Sequence, residues 1–246
     1  MVETFIALFA AHVVADYVLQ TKDIANNKHE IGPLALHGSV VLYTALLFTG
    51  SAAWPVLIAV AIHILTDLIK ANAPKTLWSY LLDQGVHVAT LLAVAYWFPS
   101  IWADGLWGDA PSWVPHFMGT FTGLIYATRA GGFAVAALMK DYSLTPKDTG
   151  DTGLQNAGTA IGNLERGLIF LLMMSGLAAG IGFLVAAKSI LRFETIKSQN
   201  PATLRNHSEY VIIGTLASFI WAIAVSVVML ILLEQLPHLG IKLPNL

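Results

Sequence analysis

Long apolar runs joined by short connectors govern what this chain can become. The runs cover roughly residues 3–20, 34–50, 54–71, 80–98, 117–139, 157–193 and 209–233. A helix of about 20 apolar residues crosses the hydrocarbon core of a bilayer. The runs therefore predict an all-α, polytopic transmembrane helical bundle, with about six full spans plus a hairpin and seven to eight membrane helices in all. The composition agrees, at 56% apolar and 11% charged residues with a mean hydropathy of +0.68. Soluble domains carry about 25% charged residues. A net charge of −2 argues against nucleic acid as a partner, because such proteins concentrate Lys and Arg. Cysteine is absent, so any metal must be held by nitrogen and oxygen. The first run carries Glu3, His12 and Asp16 and lacks a basic leader, so it does not read as a cleaved signal peptide.

The connectors divide the chain into a four-helix module over 1–98, a Trp/Pro-rich connector over 99–116, and C-terminal membrane helices over 117–246. Trp102, Trp107 and Trp113 suit an interfacial aromatic belt. Connector 21–32 holds Lys22 and Lys28, the turn near 70–79 holds Lys70 and Lys75, and 140–156 holds Lys140 and Lys147, whereas 51–53 and 99–116 hold no Lys or Arg. The positive-inside rule then puts the basic connectors in the cytoplasm, 99–116 outside it, and the N-terminus outside, in a multi-pass arrangement. The run 157–193 fits this pattern only as a hairpin bending near Ser175–Gly180, because one crossing would send Lys188, Arg192, Lys197 and Arg205 to the opposite side.

Within the first four runs lie seven side chains with metal-ligand chemistry. His12 and Asp16, His63 and Asp67, and Asp83 and His87 form pairs four residues apart, and His37 stands near the head of the second run. Residues i and i+4 share a helix face one turn apart. Each ionisable group costs about 2.5–3.5 kcal/mol at the bilayer centre on insertion scales, so seven together need partners. The topology brings all seven to a similar depth in the cytoplasmic half. Imidazole and carboxylate suit a divalent metal, zinc first and iron or manganese next. Seven ligands exceed one tetrahedral zinc and fit two ions with a bridging Asp. His12, His37, His63, Asp67 and His87 are the first candidates for direct ligation. Asp16 and Asp83 either ligate or orient a ligating histidine, and both carry the candidate catalytic carboxylates. Lys70, one turn beyond Asp67, is placed to neutralise an anionic substrate, while Gln84 and Asn72 are polar neighbours with weaker claims. Structural His–Asp hydrogen bonds, or a proton relay, are the competing readings; haem between two histidines leaves the i+4 carboxylates unexplained.

The second half adds Arg166, Lys188 and Arg192 around an apolar hairpin, with Glu165 or Glu209 as counter-ion. These cations either reach the inner interface and bind anionic headgroups or form a pocket for a phosphate or carboxylate.

The strings HVVADYVLQTKDIA, HGSVVLY, HILTDLIK and DQGVHV resemble a bacterial membrane family catalogued as domain of unknown function 3307 over roughly residues 3–98. IGNLERGLIFLL, AAKSILRF and EYVIIGTLAS resemble the C-terminal part of its longer members. This resemblance implies a membrane protein and brings no activity with it. The His-x3-Asp pairs also look like those of bacterial inner-membrane metal-dependent hydrolases. The resulting expectation is a hydrolase of a lipid-linked or amphipathic anionic substrate, with membrane lipids as partners and the oligomeric state open. A proton- or ion-coupled secondary transporter and a non-catalytic sensor or scaffold are the alternatives.

Overall fold

The computed structural model of the chain describes residues 1–142, 157–196 and 201–239, and every regular element among them is helical. The helices are α1 (Val2–Leu19), α2 (Lys22–Asn26), α3 (Ile31–Thr49), α4 (Trp54–Ala71), α5 (Leu77–Trp97), α6 (Trp113–Met139), α7 (Ala157–Met174), α8 (Gly180–Ile196) and α9 (Pro201–Glu234). Among the described residues, five stretches are long and apolar enough to cross a membrane: α1, α3, α4, α6 and Ser208–Glu234 of α9. They coincide with five of the about six full spans expected. α5 has the length, but Ser79, Asp83, Gln84, His87 and Thr90 dilute its apolar content.

Two compact units divide the described residues, one made of Met1–Tyr126 with 231–239 and the other of the described residues within Ala127–Leu230. In the first, α1 packs against α3, α5 and the N-terminal part of α6, while α4 packs against α3 and α5. Apolar residues cover every face of α1, and such a helix is stable only when enclosed. Ile6, Ala7, Leu8, Ala10 and Val13 are all buried. The surrounding helices turn apolar side chains outward instead, among them Leu42, Leu47, Leu57, Leu65, Leu82 and Leu92. Lipid tails are as apolar as Leu, so these faces carry no hydrophobic penalty in a bilayer.

Local chemistry sets the helix ends. Thr21 and Thr76 cap α2 and α5, their hydroxyls accepting from Ile24 N at 3.3 Å and Ser79 N at 3.2 Å. The polar connector 21–32 thus contains a short helix. Gly50 ends α3 at φ 61°, a left-handed conformation that glycine adopts without steric cost. The connector after α5 folds back onto that end, where Trp107 Nε1 donates to Leu47 O at 2.7 Å and Leu106 N to Gly50 O at 2.9 Å. Trp102 departs from the expected interfacial belt. Its backbone N–H donates to Thr4 Oγ1 at 3.3 Å and its ring is buried, whereas Trp107 and Trp113 are exposed.

In the second unit the bend expected near Ser175–Gly180 falls between α7 and α8. Leu177 N donates to Leu172 O and Gly176 N to Met173 O, with Gly176 at φ 73°. This pair of bonds around a left-handed glycine is a Schellman stop. Ile169, Phe219 and Ala222 form the core, with Met173, Ile181, Leu184 and Ile223 packed on it.

Candidate metal centre

All seven candidate ligands lie in the first unit, supplied by four helices. α1 contributes His12 and Asp16, α3 His37, α4 His63 and Asp67, and α5 Asp83 and His87. Six of them are buried and Asp16 nearly so. At Ala15 the backbone of α1 widens into a π-helical turn running to Leu19, which re-aims Asp16; such turns recur at functional sites. Gly38, next to His37, lets α3 approach α4 closely, since a Cβ there would stand 2.9 Å from Ile64 Cδ1.

The tightest contacts involve four atoms. His37 Nε2 lies 3.2 Å from Asp16 Oδ1, 3.1 Å from Asp67 Oδ2 and 3.4 Å from His63 Nε2. His63 Nε2 lies 3.2 Å from Asp16 Oδ1 and 3.4 Å from Asp67 Oδ2. With bonds of about 2.1 Å, neighbouring ligands of one ion stand about 3.0 Å apart in an octahedron and about 3.4 Å apart in a tetrahedron. Hydrogen bonding accounts for these contacts less well. Asp16 Oδ1 makes no directed hydrogen bond despite two imidazole nitrogens at 3.2 Å.

A second set adjoins the first. Ligand atoms of Asp67, Asp83 and His87 lie within 4.8 Å of one another, as do those of His12, His63 and His87. Asp67 belongs to the first and second sets, as a bridging carboxylate would. The His63 and His87 rings stack with centroids 4.1 Å apart, and His12 is 4.9 Å from His87. His12 Nδ1, Asp16 Oδ1, His37 Nδ1, Asp83 Oδ1 and His87 Nε2 are buried without a hydrogen-bond partner among the described residues. Natively buried polar atoms are nearly always partnered, so five such atoms in one cluster call for an occupant.

Two lysines balance the carboxylates. Lys70 Nζ, expected to neutralise an anionic substrate, meets Asp83 Oδ2 at 2.5 Å. Lys28 Nζ meets Asp67 Oδ2 at 2.8 Å, although Lys28 lies in a connector and carried no signal in the sequence. Gln20, with its amide oriented to satisfy both groups, accepts from Lys28 Nζ at 3.0 Å and donates to the Asp16 carbonyl at 3.2 Å. Gln84 has a stronger place than its sequence suggested. Its amide donates to Asp83 Oδ2 at 2.9 Å, and its oxygen lies 3.3 Å from His12 Nε2. Asn72 instead donates to Leu68 O within its own helix. Tyr17 and Tyr80, whose hydroxyls are 2.7 Å apart, close one side of the cluster and were also missed.

Of the three cations in the second half, Arg166 and Lys188 lie in the second unit. Arg166 is 3% exposed, and Lys188 Nζ pairs with Glu165 Oε2 at 2.6 Å. The Arg192 side chain falls outside the described residues, although its backbone continues α8.

Fold and site together define a class: an all-helical membrane protein whose N-terminal helices enclose a buried cluster of histidines and aspartates. Residues 4–104 match the model of a family described as "Protein of unknown function (DUF3307)", so this segment is similar to that family. All seven clustered residues lie inside the matched segment, which ends before the second half of the chain. No curated protein and no solved structure matches the chain.

Proposed function

We propose that the cluster is a dinuclear metal centre, zinc first and iron or manganese next, on the cytoplasmic side of a multi-pass protein of a bacterial inner membrane. In this reading the protein hydrolyses a lipid-linked or amphipathic anionic substrate, a phosphoester before any other. The observation that carries the proposal is that His37 Nε2 and His63 Nε2, 3.4 Å apart, each stand 3.1–3.4 Å from both Asp16 Oδ1 and Asp67 Oδ2. His12, His37, His63, Asp67 and His87, with Asp16 and Asp83, would hold the ions, whose chemistry there would be to lower the pKa of a bound water toward neutrality for attack on phosphorus.

The remaining groups have roles that follow from their positions. Charge balance favours an anionic substrate: three carboxylates and two ammoniums leave one negative charge, which two divalent ions turn into three positive ones. Lys70, whose side chain is 36% exposed, is the cation that can reach a substrate oxygen. Asp83 keeps Oδ2 on Lys70 and Gln84 and leaves Oδ1 for a ligand or a proton. Lys28 and Gln20 position Asp67 and the π-helical turn that carries Asp16.

The direct His37–His63 contact favours a second reading, a proton- or ion-coupled transporter, because touching imidazoles can also pass a proton. Metal content of the detergent-purified protein, beside His63→Ala and Asp67→Ala, separates the two. One or two equivalents, lost in both variants, followed by hydrolysis of a lipid phosphoester that His63→Ala abolishes, are the expected results. No bound metal after reloading, together with flux driven by a pH gradient in liposomes, overturns the hydrolase.

A further inference from the structure

The second unit holds a cavity of about 730 Å3, bounded by the C-terminal part of α6 and by α7, α8 and α9. This lies within the ~300–1,000 Å3 range of small-molecule sites. Four glycines, Gly132, Gly158, Gly162 and Gly214, line it, so backbone stands where side chains would fill the space. The rest of the wall is largely apolar, including Val135 and Leu184. Among the described lining residues the only charged side chains are Glu165, Arg166 and Lys188.

Arg166 is the unusual member. Its Nε donates to Thr128 O at 3.0 Å, Nη1 to Ser218 Oγ at 2.8 Å and Nη2 to Asn163 Oδ1 at 2.8 Å. All three acceptors are neutral. Glu165, its neighbour in the chain, is paired with Lys188, and no carboxylate lies within ion-pair distance of Arg166 among the described residues. A guanidinium has five N–H donors, so one remains on each Nη. Beside those two nitrogens stand Gly162 and Gly132, where a Cβ would come within 3.2 Å of Nη1 and Nη2 respectively. A buried charge without a counter-charge is costly, and more so among membrane helices. Glu165 acts on Arg166 only from beyond contact distance and is shared with Lys188, so the charges of the described lining residues sum to one positive charge.

We propose that this cavity binds an amphiphile with a singly charged oxyanion head, a phosphodiester or a carboxylate, whose head engages Arg166 and whose acyl chain occupies the apolar space. None of the cavity's lining residues belongs to the metal cluster, and the proposal stands whether or not that cluster binds metal. It assigns Arg166 to lipid recognition in the second unit and needs no contribution from Arg192.

The test is native mass spectrometry of the full chain in a neutral detergent, titrated with phosphatidylglycerol, phosphatidylcholine, oleate and inorganic phosphate. Retention of one phosphatidylglycerol or one oleate per chain, at least about tenfold preferred over phosphatidylcholine, is expected. Whichever of the two is retained identifies the head as phosphodiester or carboxylate. Arg166→Gln weakens that retention about tenfold or more. Gly214→Leu tests the cavity with Arg166 intact: a Cβ at Gly214 stands 3.5 Å from Met139 Sδ, and both residues line the cavity, so the added side chain takes up space that the acyl chain needs. Equal retention of phosphatidylcholine, unchanged binding in Gly214→Leu, or displacement of the anionic lipid by inorganic phosphate each overturns the proposal.

Discussion

Lys28→Met removes the ammonium that stands 2.8 Å from Asp67 Oδ2 and keeps a side chain of similar length in its place. The side chains of Lys28 and Asp67 are 10% and 3% exposed, so water does little to screen the pair. Deleting one partner of a buried pair costs about 3–5 kcal/mol, because the other charge is left uncompensated. At about 2–4 °C per kcal/mol for a chain of this size, metal-free protein should lose about 6–20 °C in Tm. Asp16, Asp67 and Asp83 would then face Lys70 alone, two negative charges in excess. A divalent cation relieves that excess, so zinc should raise the Tm of Lys28→Met by more than it raises the Tm of the wild type. Thermal unfolding in detergent, chelated against zinc-loaded, measures both increments. A chelated Tm within about 2 °C of wild type refutes the buried-pair reasoning. Equal zinc increments refute the idea that Lys28 and the metal compensate the same carboxylates.

Three further outcomes follow from the same geometry. Asp16→Asn keeps size and shape but removes the oxyanion 3.2 Å from both imidazole nitrogens, so a chelator competition should show a loss beyond the ~10–100-fold that an outer hydrogen-bonding partner of a ligand supplies; a drop under about threefold removes Asp16 from the ligands. Ligating imidazoles must be unprotonated, so occupancy at fixed metal should fall as pH is lowered from about 7 to 5, and metal addition in weak buffer should release protons; pH-independent occupancy contradicts histidine ligation. Gly176→Ala places a Cβ at φ 73° and should lower Tm by about 2–4 °C, whereas Gly182→Ala, with open space around its Cβ, should not; equal Tm values would show that the Schellman stop contributes nothing.

The sequence by itself determined the helical class, the seven ligand-type residues and the bend in the second half. Each depends on information local to one segment: run length against bilayer thickness, the i, i+4 pairing of His12 with Asp16 or His63 with Asp67, and glycine at the bend. α5 shows where run length stops being sufficient, since the polar residues that serve the cluster also lower the helix's hydropathy. Tertiary structure decided which atoms meet. His37 reaches His63 because Gly38 lets α3 and α4 close together, and Asp16 faces both because α1 widens into a π-helical turn. Lys28 joins Asp67 across 39 residues, from a connector that no periodicity places. Arg166 likewise looks like any membrane-helix cation until Thr128, Asn163 and Ser218, and no carboxylate among the described residues, are seen to hold it in contact. Spacing along a helix selects which side chains share a face. Which faces then converge, and on which charges, depends on packing between segments distant in sequence.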